Sequence, residues 1–186
     1  MPSLRIMGVD PALRNIGYCI GSYNGKHHQI HTVGTIRTKA IEKKYKVESH
    51  FEDAVQMYKG LKTIIQDYQP AFVFYEYPIG SKSAAALISY AFTVMMMAAL
   101  KTEFTHIQFI GNRVPVIKKM FAGNKDAEKR FIINRAYDLC PDASGWKISK
   151  QTNEPQANSE HMADAVAAYY VGAHLNGFFD PFFKAC

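Results

Sequence analysis

With 186 residues, 48% hydrophobic and 13% aromatic, the chain has the size and apolar content of one globular domain, which excludes a disordered, fibrous or disulfide-stapled miniature protein. Its 22 Lys and Arg against 16 Asp and Glu give a formal charge of +6. The excess is regional: residues 1–130 hold 18 basic against 10 acidic side chains, residues 131–186 hold 4 against 6, and the dense stretches Arg37 to Lys46 and Arg113 to Arg130 favour a polyanionic partner such as nucleic acid.

Three runs rich in β-branched and aromatic residues come first, Leu4 to Asp10, Asn15 to Tyr23 and Gln29 to Thr38, separated by turns at Pro11 and at Asn24 to Lys26. They predict an antiparallel meander. Helical spacing follows at Phe51, Val55, Tyr58, Ile65 and Tyr68, ended by Pro70, and Ala71 to Glu76 reads as a short buried strand. Ala84 to Leu100 is uncharged for 17 residues, just short of a membrane span. It reads better as a buried helix, either inside the protomer or at a subunit interface. A strand at His106 to Ile110, helices at Val114 to Phe121 and Asp126 to Leu139, a polar loop from Ala143 to Asn158 and a last helix capped by Asn158 and Ser159 complete the order. Such an order predicts an α/β domain with a mixed sheet and helices on both faces. Cys19, Cys140 and Cys186 form no CxxC pair, and the N-terminus lacks a secretory pattern, so a reducing, cytoplasmic setting is expected.

Asp10 and Glu76 each end a short apolar strand, at the sheet edge where sites form in layered α/β folds. His161 and Asp164 are three residues apart and share one face near the start of the last helix. Carboxylates crowded in this way repel or stay protonated unless a cation joins them, and oxygen ligands of this kind suit Mg²⁺ or Mn²⁺. Each residue also has a plain structural reading: Asp10 as the turn residue of an Asp-Pro pair, Glu76 as half of a salt bridge, and His161 with Asp164 as first-turn residues answering the helix dipole.

Four patches carry a resemblance to the RuvC-type Holliday-junction resolvases of the RNase H-like superfamily: "GVDPALRNIGY", "FVFYEYPI", "VPVIKKMFAGNKDAEK" and "HMADAVAAYY". They stand in the family's order and span nearly the whole chain. The resemblance implies an RNase H-like mixed five-stranded sheet, three antiparallel strands followed by parallel ones. It implies a homodimer acting on four-way or other branched DNA, and hydrolysis with two divalent ions, Mg²⁺ with Mn²⁺ as substitute, leaving a nick with 5′-phosphate and 3′-hydroxyl. Asp10, Glu76, His161 and Asp164 then hold metal, and Lys118 and Lys129 assist catalysis. Arg14, Tyr77, Ile79, Lys82 and Lys125 are candidate DNA contacts, Arg14 being equally readable as a structural ion-pair partner.

The chain departs from the family pattern at Ala12, where glycine is common, at His161, where many members have Asp, and at Ile79, where bacterial members can offer an aromatic wedge. With the Lys-rich stretch Lys39 to Lys46, these departures suggest a phage or viral branch. The rival readings are a nuclease of the same fold acting on flaps or RNA-DNA hybrids, a non-catalytic DNA-binding scaffold, and an actin-like or sugar-kinase lobe.

Overall fold

The computed structural model describes residues 3–39, 41, 45–77 and 83–178, so Ile79, Lys82 and Cys186 lie outside the described residues. The meander is β1 (Leu4–Pro11), β2 (Asn15–Tyr23) and β3 (His28–Arg37), followed by α1 (Lys46–Tyr68), β4 (Phe72–Tyr77), α2 (Ala84–Glu103), β5 (Gln108–Arg113), α3 (Val114–Ala122), α4 (Lys129–Leu139) and α5 (Glu160–Leu175). The order within the five-stranded sheet is β3-β2-β1-β4-β5. The meander pairs are antiparallel and β1-β4 and β4-β5 are parallel, as the sequence leads one to expect. Asn24 makes the β2-β3 turn, its side-chain oxygen accepting from the backbone N–H groups of Lys26 and His27.

The two faces carry separate cores. Ile6, Cys19 and Phe74 pack with α3, α4 and α5 on one face, and Met7, Val9, Ile20 and Val73 pack with α1 and α2 on the other. Strand alternation therefore sends Ile6, Gly8 and Asp10 of β1, and Phe72, Phe74 and Glu76 of β4, to the α5 face. The last helix is the deepest element: from Met162 to Ala173 nearly every residue is buried. It reaches the sheet because glycines face it. A Cβ on Gly8 would stand 2.2 Å from the Ala165 carbonyl oxygen, and one on Gly17 only 1.8 Å from that of His161. The chain sets the start of α5 directly over the end of β1.

Two expectations are corrected and one open reading is narrowed. Ser159 precedes α5 but makes no side-chain cap, because a 3₁₀ turn at Ala157–Ser159 runs straight into the helix and leaves its Oγ buried with no hydrogen-bond partner. Residues 143–158 are not only a loop, since Ser144 exchanges backbone hydrogen bonds with His31 and Val33 along the β3 edge. The apolar run of α2 is not enclosed by the protomer: Thr93, Met96, Met97 and Leu100 are buried, whereas Leu87, Ile88 and Met95 are exposed. Among the described residues no helix is long and apolar enough to cross a membrane. Cys19 and Cys140 are free and buried.

Candidate active site

The register of β1 on β4 brings Val9 opposite Tyr75, so one further step sets Asp10 beside Glu76. Neighbouring strands run about 4.8 Å apart, and both acids face the same side. On that side α5 brings His161 and Asp164 down onto them. His161 Nδ1–H donates to Asp10 Oδ2 at 2.6 Å. Asp164 and Asp10 both act electrostatically on Glu76, so strand-end acids 66 positions apart in sequence and a helix acid come to one place.

The charges there are costly. Burial, then the charges of Asp10 and Asp164, hold the Glu76 carboxyl well above the usual carboxylate range, with Lys118 opposing. Burial first, then Asp10 and Glu160, pushes Asp164 up to about 7. Asp10 is likewise raised by burial, against the pull of its hydrogen bond to His161, and that hydrogen bond raises the imidazole in turn. Three carboxyl groups that desolvate and repel one another are a set in want of positive charge. Among the described residues no three of His, Cys, Asp and Glu stand close enough to cage an ion as they are placed. Asp10 Oδ2 accepts the His161 hydrogen bond, and Oδ1 is the other oxygen it offers. The donor chemistry, hard oxygens and one imidazole, fits a divalent ion such as Mg²⁺ or Mn²⁺.

A cleft of about 470 Å³ opens beside Asp10 and Glu76, walled by Pro11, Leu13, Tyr90, Thr93, Val114 and Pro115. The basic residues divide around it. Lys118 on α3 lies near enough to Glu76 and Asp164 to favour their ionised forms. Lys129, at the first position of α4, is instead ion-paired with Glu160 at the first position of α5. Arg14 Nε donates to Asp53 Oδ2 of α1 at 2.9 Å, the structural ion pair that was one of its two readings. Lys125 is exposed between α3 and α4. Tyr77 falls on the α2 face of β4 by alternation, away from Glu76, with its ring 6.1 Å from that of Tyr75.

Sequence reasoning missed Glu160 and Asp53. Glu160 adjoins the His161 motif and was detectable as one more acid there. Asp53 carries no local signal, because its partner is 39 residues away.

This arrangement has counterparts. The chain matches the family described as crossover junction endodeoxyribonuclease RuvC over residues 6–141. The chain belongs to that family. The RuvC of Vibrio atlanticus is 27% identical over 173 residues, covering 92% of this chain and 87% of the relative. That of Bartonella henselae is 26% identical over 143 residues, covering 76% and 79%. The fold is that of Thermus thermophilus RuvC in complex with a Holliday-junction substrate, with a TM-score of 0.70 at 14% identity over 93% of this chain and 94% of that one. The Fowlpox virus resolvase with its junction DNA aligns at a TM-score of 0.57 and 17% identity, over 92% and 99%. The mixed five-stranded sheet and the enzyme class are thereby those of a RuvC family member, and the kinase-lobe alternative falls. Dependence on a divalent metal comes with the family.

Proposed function

We propose that the chain is a single-domain, structure-selective endonuclease that resolves four-way DNA junctions by paired nicks, using Asp10, Glu76, His161 and Asp164 as metal ligands. The observation that carries this reading is the meeting of Asp10, Glu76 and Asp164 on one face of the sheet edge in a RuvC family member. When bound, two Mg²⁺ ions, for which Mn²⁺ substitutes, supply activation of the attacking water and neutralisation of the leaving oxygen.

The chain's own residues do the rest. His161 orients Asp10 through Nδ1, and these two side chains with Glu76 and Asp164 would hold the ions. Lys118 places a fixed positive charge beside Glu76 and Asp164, where a scissile phosphate adds negative charge. Lys129 is a second cation of this kind once Glu160 lets it go. Arg14, Tyr77 and Lys125 are the candidate DNA contacts, together with Ile79 and Lys82, which lie outside the described residues. Two opposed cuts in a junction of two-fold symmetry call for a C2 homodimer. The exposed stripe of Leu87, Ala91 and Met95 on α2, with Phe51 of α1 packed edge-on to Phe92, supplies the apolar face for a second copy. A cytoplasmic location suits free buried thiols.

The test is a cleavage panel of four-way junction, Y-shaped flap, RNA-DNA hybrid and linear duplex, each with Mg²⁺ and with Mn²⁺. Symmetric paired nicks in the junction are expected. Preferential cutting of hybrid or flap replaces this reading with the other nuclease one. Asp10→Asn is expected to slow cutting by roughly 10³-fold or more while junction binding persists.

A further inference from the structure

A further buried carboxylate, beyond Asp10, Glu76 and Asp164, lies at the active-site end of the sheet, and the chemistry above makes no use of it. Asp53, two turns into α1, is 3% exposed. Its Oδ2 accepts from Arg14 Nε at 2.9 Å, and the two side chains differ sharply in exposure, 58% for Arg14 against 5% for Asp53. A guanidinium carries five N–H donors in a planar fork, and a tether alone is made best by turning two of them onto the carboxylate. Here Asp53 takes the Nε edge only. Among the described residues the terminal Nη1 and Nη2 groups make no hydrogen bond to protein, and the side chain as a whole is more than half exposed.

The stem of this arginine is fixed as well. Arg14 lies in the β1-β2 connection four residues past Asp10, and its carbonyl accepts from the Thr38 N–H at 3.2 Å. A planar donor pair held at one edge, with the other edge free, matches a phosphate oxygen pair, a task for which the single point charge of lysine is no substitute.

We propose that Asp53 is a positioning residue that holds Arg14 with Nη1 and Nη2 facing a backbone phosphate of DNA lying across the sheet edge beside Asp10 and Glu76. The inference rests on the nuclease reading and adds to it the group that orients the arginine. It is tested by binding of a synthetic four-way junction in EDTA, where no cutting occurs, over a series of salt concentrations, with the melting temperature of each variant recorded alongside.

Arg14→Gln is expected to weaken binding about tenfold and to flatten the plot of log affinity against log salt by about 0.9 per protomer engaged, the mark of one lost phosphate contact. Asp53→Asn should weaken binding in the same direction, and Arg14→Gln with Asp53→Asn should bind no more weakly than Arg14→Gln alone, because Asp53 acts through Arg14. Arg14→Lys should not restore binding, since one ammonium cannot serve Asp53 and a phosphate together. This arm decides the matter if Asp53→Asn fails to fold. The proposal is overturned if Asp53→Asn lowers the melting temperature but leaves affinity and salt slope unchanged, or if Arg14→Lys binds like wild type. A wild-type chain that binds no junction removes the nuclease reading itself, whereas a binding wild type with an unaltered slope in Arg14→Gln removes only the phosphate contact.

Discussion

The helices α2 and α5 are both apolar around most of their circumference, and they come to rest in opposite surroundings. In α5 almost every residue from Met162 to Ala173 is buried, whereas in α2 Leu87, Ile88 and Met95 remain exposed at 48%, 43% and 69%. Composition gives the demand for burial but not the element that meets it. For α5 the answer lies in small residues on both sides: Ala163, Ala165 and Ala168 in the helix, Gly8 and Gly17 in the strands beneath. For α2 the large outward side chains have no counterpart within the described residues. One helix is buried by its own chain, and the other keeps an apolar face exposed.

The sharpest way to break this contrast is to deny α5 its seat. Gly17→Ala drives a methyl group into the carbonyl of His161, a backbone atom that moves only with the helix. Overpacking of this sort costs about 3 kcal/mol or more. The expected outcome is a large fall in the denaturation midpoint together with lost cutting, since the displaced residue is His161 itself. Unchanged stability and cutting would mean that α5 does not sit on the sheet as described.

The next effect concerns the charge that α5 carries into the core and α2 does not. Asp164 is pushed up to about 7, chiefly by burial, and Glu76 lies well above the usual range for the same reason and because of Asp10 and Asp164. An acid with a raised folded-state pKa keeps its proton in the folded chain where the unfolded chain, with a pKa of about 4, has lost it. Its stabilising contribution is therefore full below about pH 4 and is lost as pH climbs toward 7. His161, raised by its hydrogen bond to Asp10, works in the same direction at higher pH, from its ordinary 6.5 upward. The metal-free protein is expected to melt lower at pH 8 than at pH 5, by on the order of 5 °C. Millimolar Mg²⁺ should remove the difference by stabilising the protein at pH 8, and Asp164→Asn should flatten it. Scanning calorimetry across pH, with and without the ion, checks both. A melting temperature that rises through this window would contradict the burial of these acids.

Legibility in the sequence follows the same division. The order of strands and helices, and the meeting of Asp10, Glu76, His161 and Asp164, were readable because period-2 alternation and helical i, i+3 spacing fix which side a residue faces once the sheet edge is assigned. The partners of the cations were not. Lys129 and Lys118 look alike in a basic stretch, yet one is held by Glu160 and the other lies by the acids, a difference set by how α3, α4 and α5 pack. The pairing of Arg14 with Asp53 joins a strand connection to a helix across the sheet. Ser159 had the right residue type for a cap, and a preceding 3₁₀ turn took away the geometry.

The smallest effect on the fold should come from the outer face of α2, and that smallness is its value. Met95 is 69% exposed and its neighbour Met96 is 5% exposed, so consecutive methionines test the two sides of one helix. Leu87→Glu with Met95→Lys puts charge on the open stripe and is expected to change protomer stability by no more than about 0.5 kcal/mol. Met96→Lys buries an unpaired charge against Leu61 and Leu100 of the same core and should prevent folding. If the stripe is the seat of a second copy, the double variant sediments as a monomer and its cuts in a junction become unpaired, single nicks replacing the symmetric pair. A double variant that stays dimeric would place the interface elsewhere, and a monomeric wild type would leave the apolar stripe of α2 without the partner that its composition calls for.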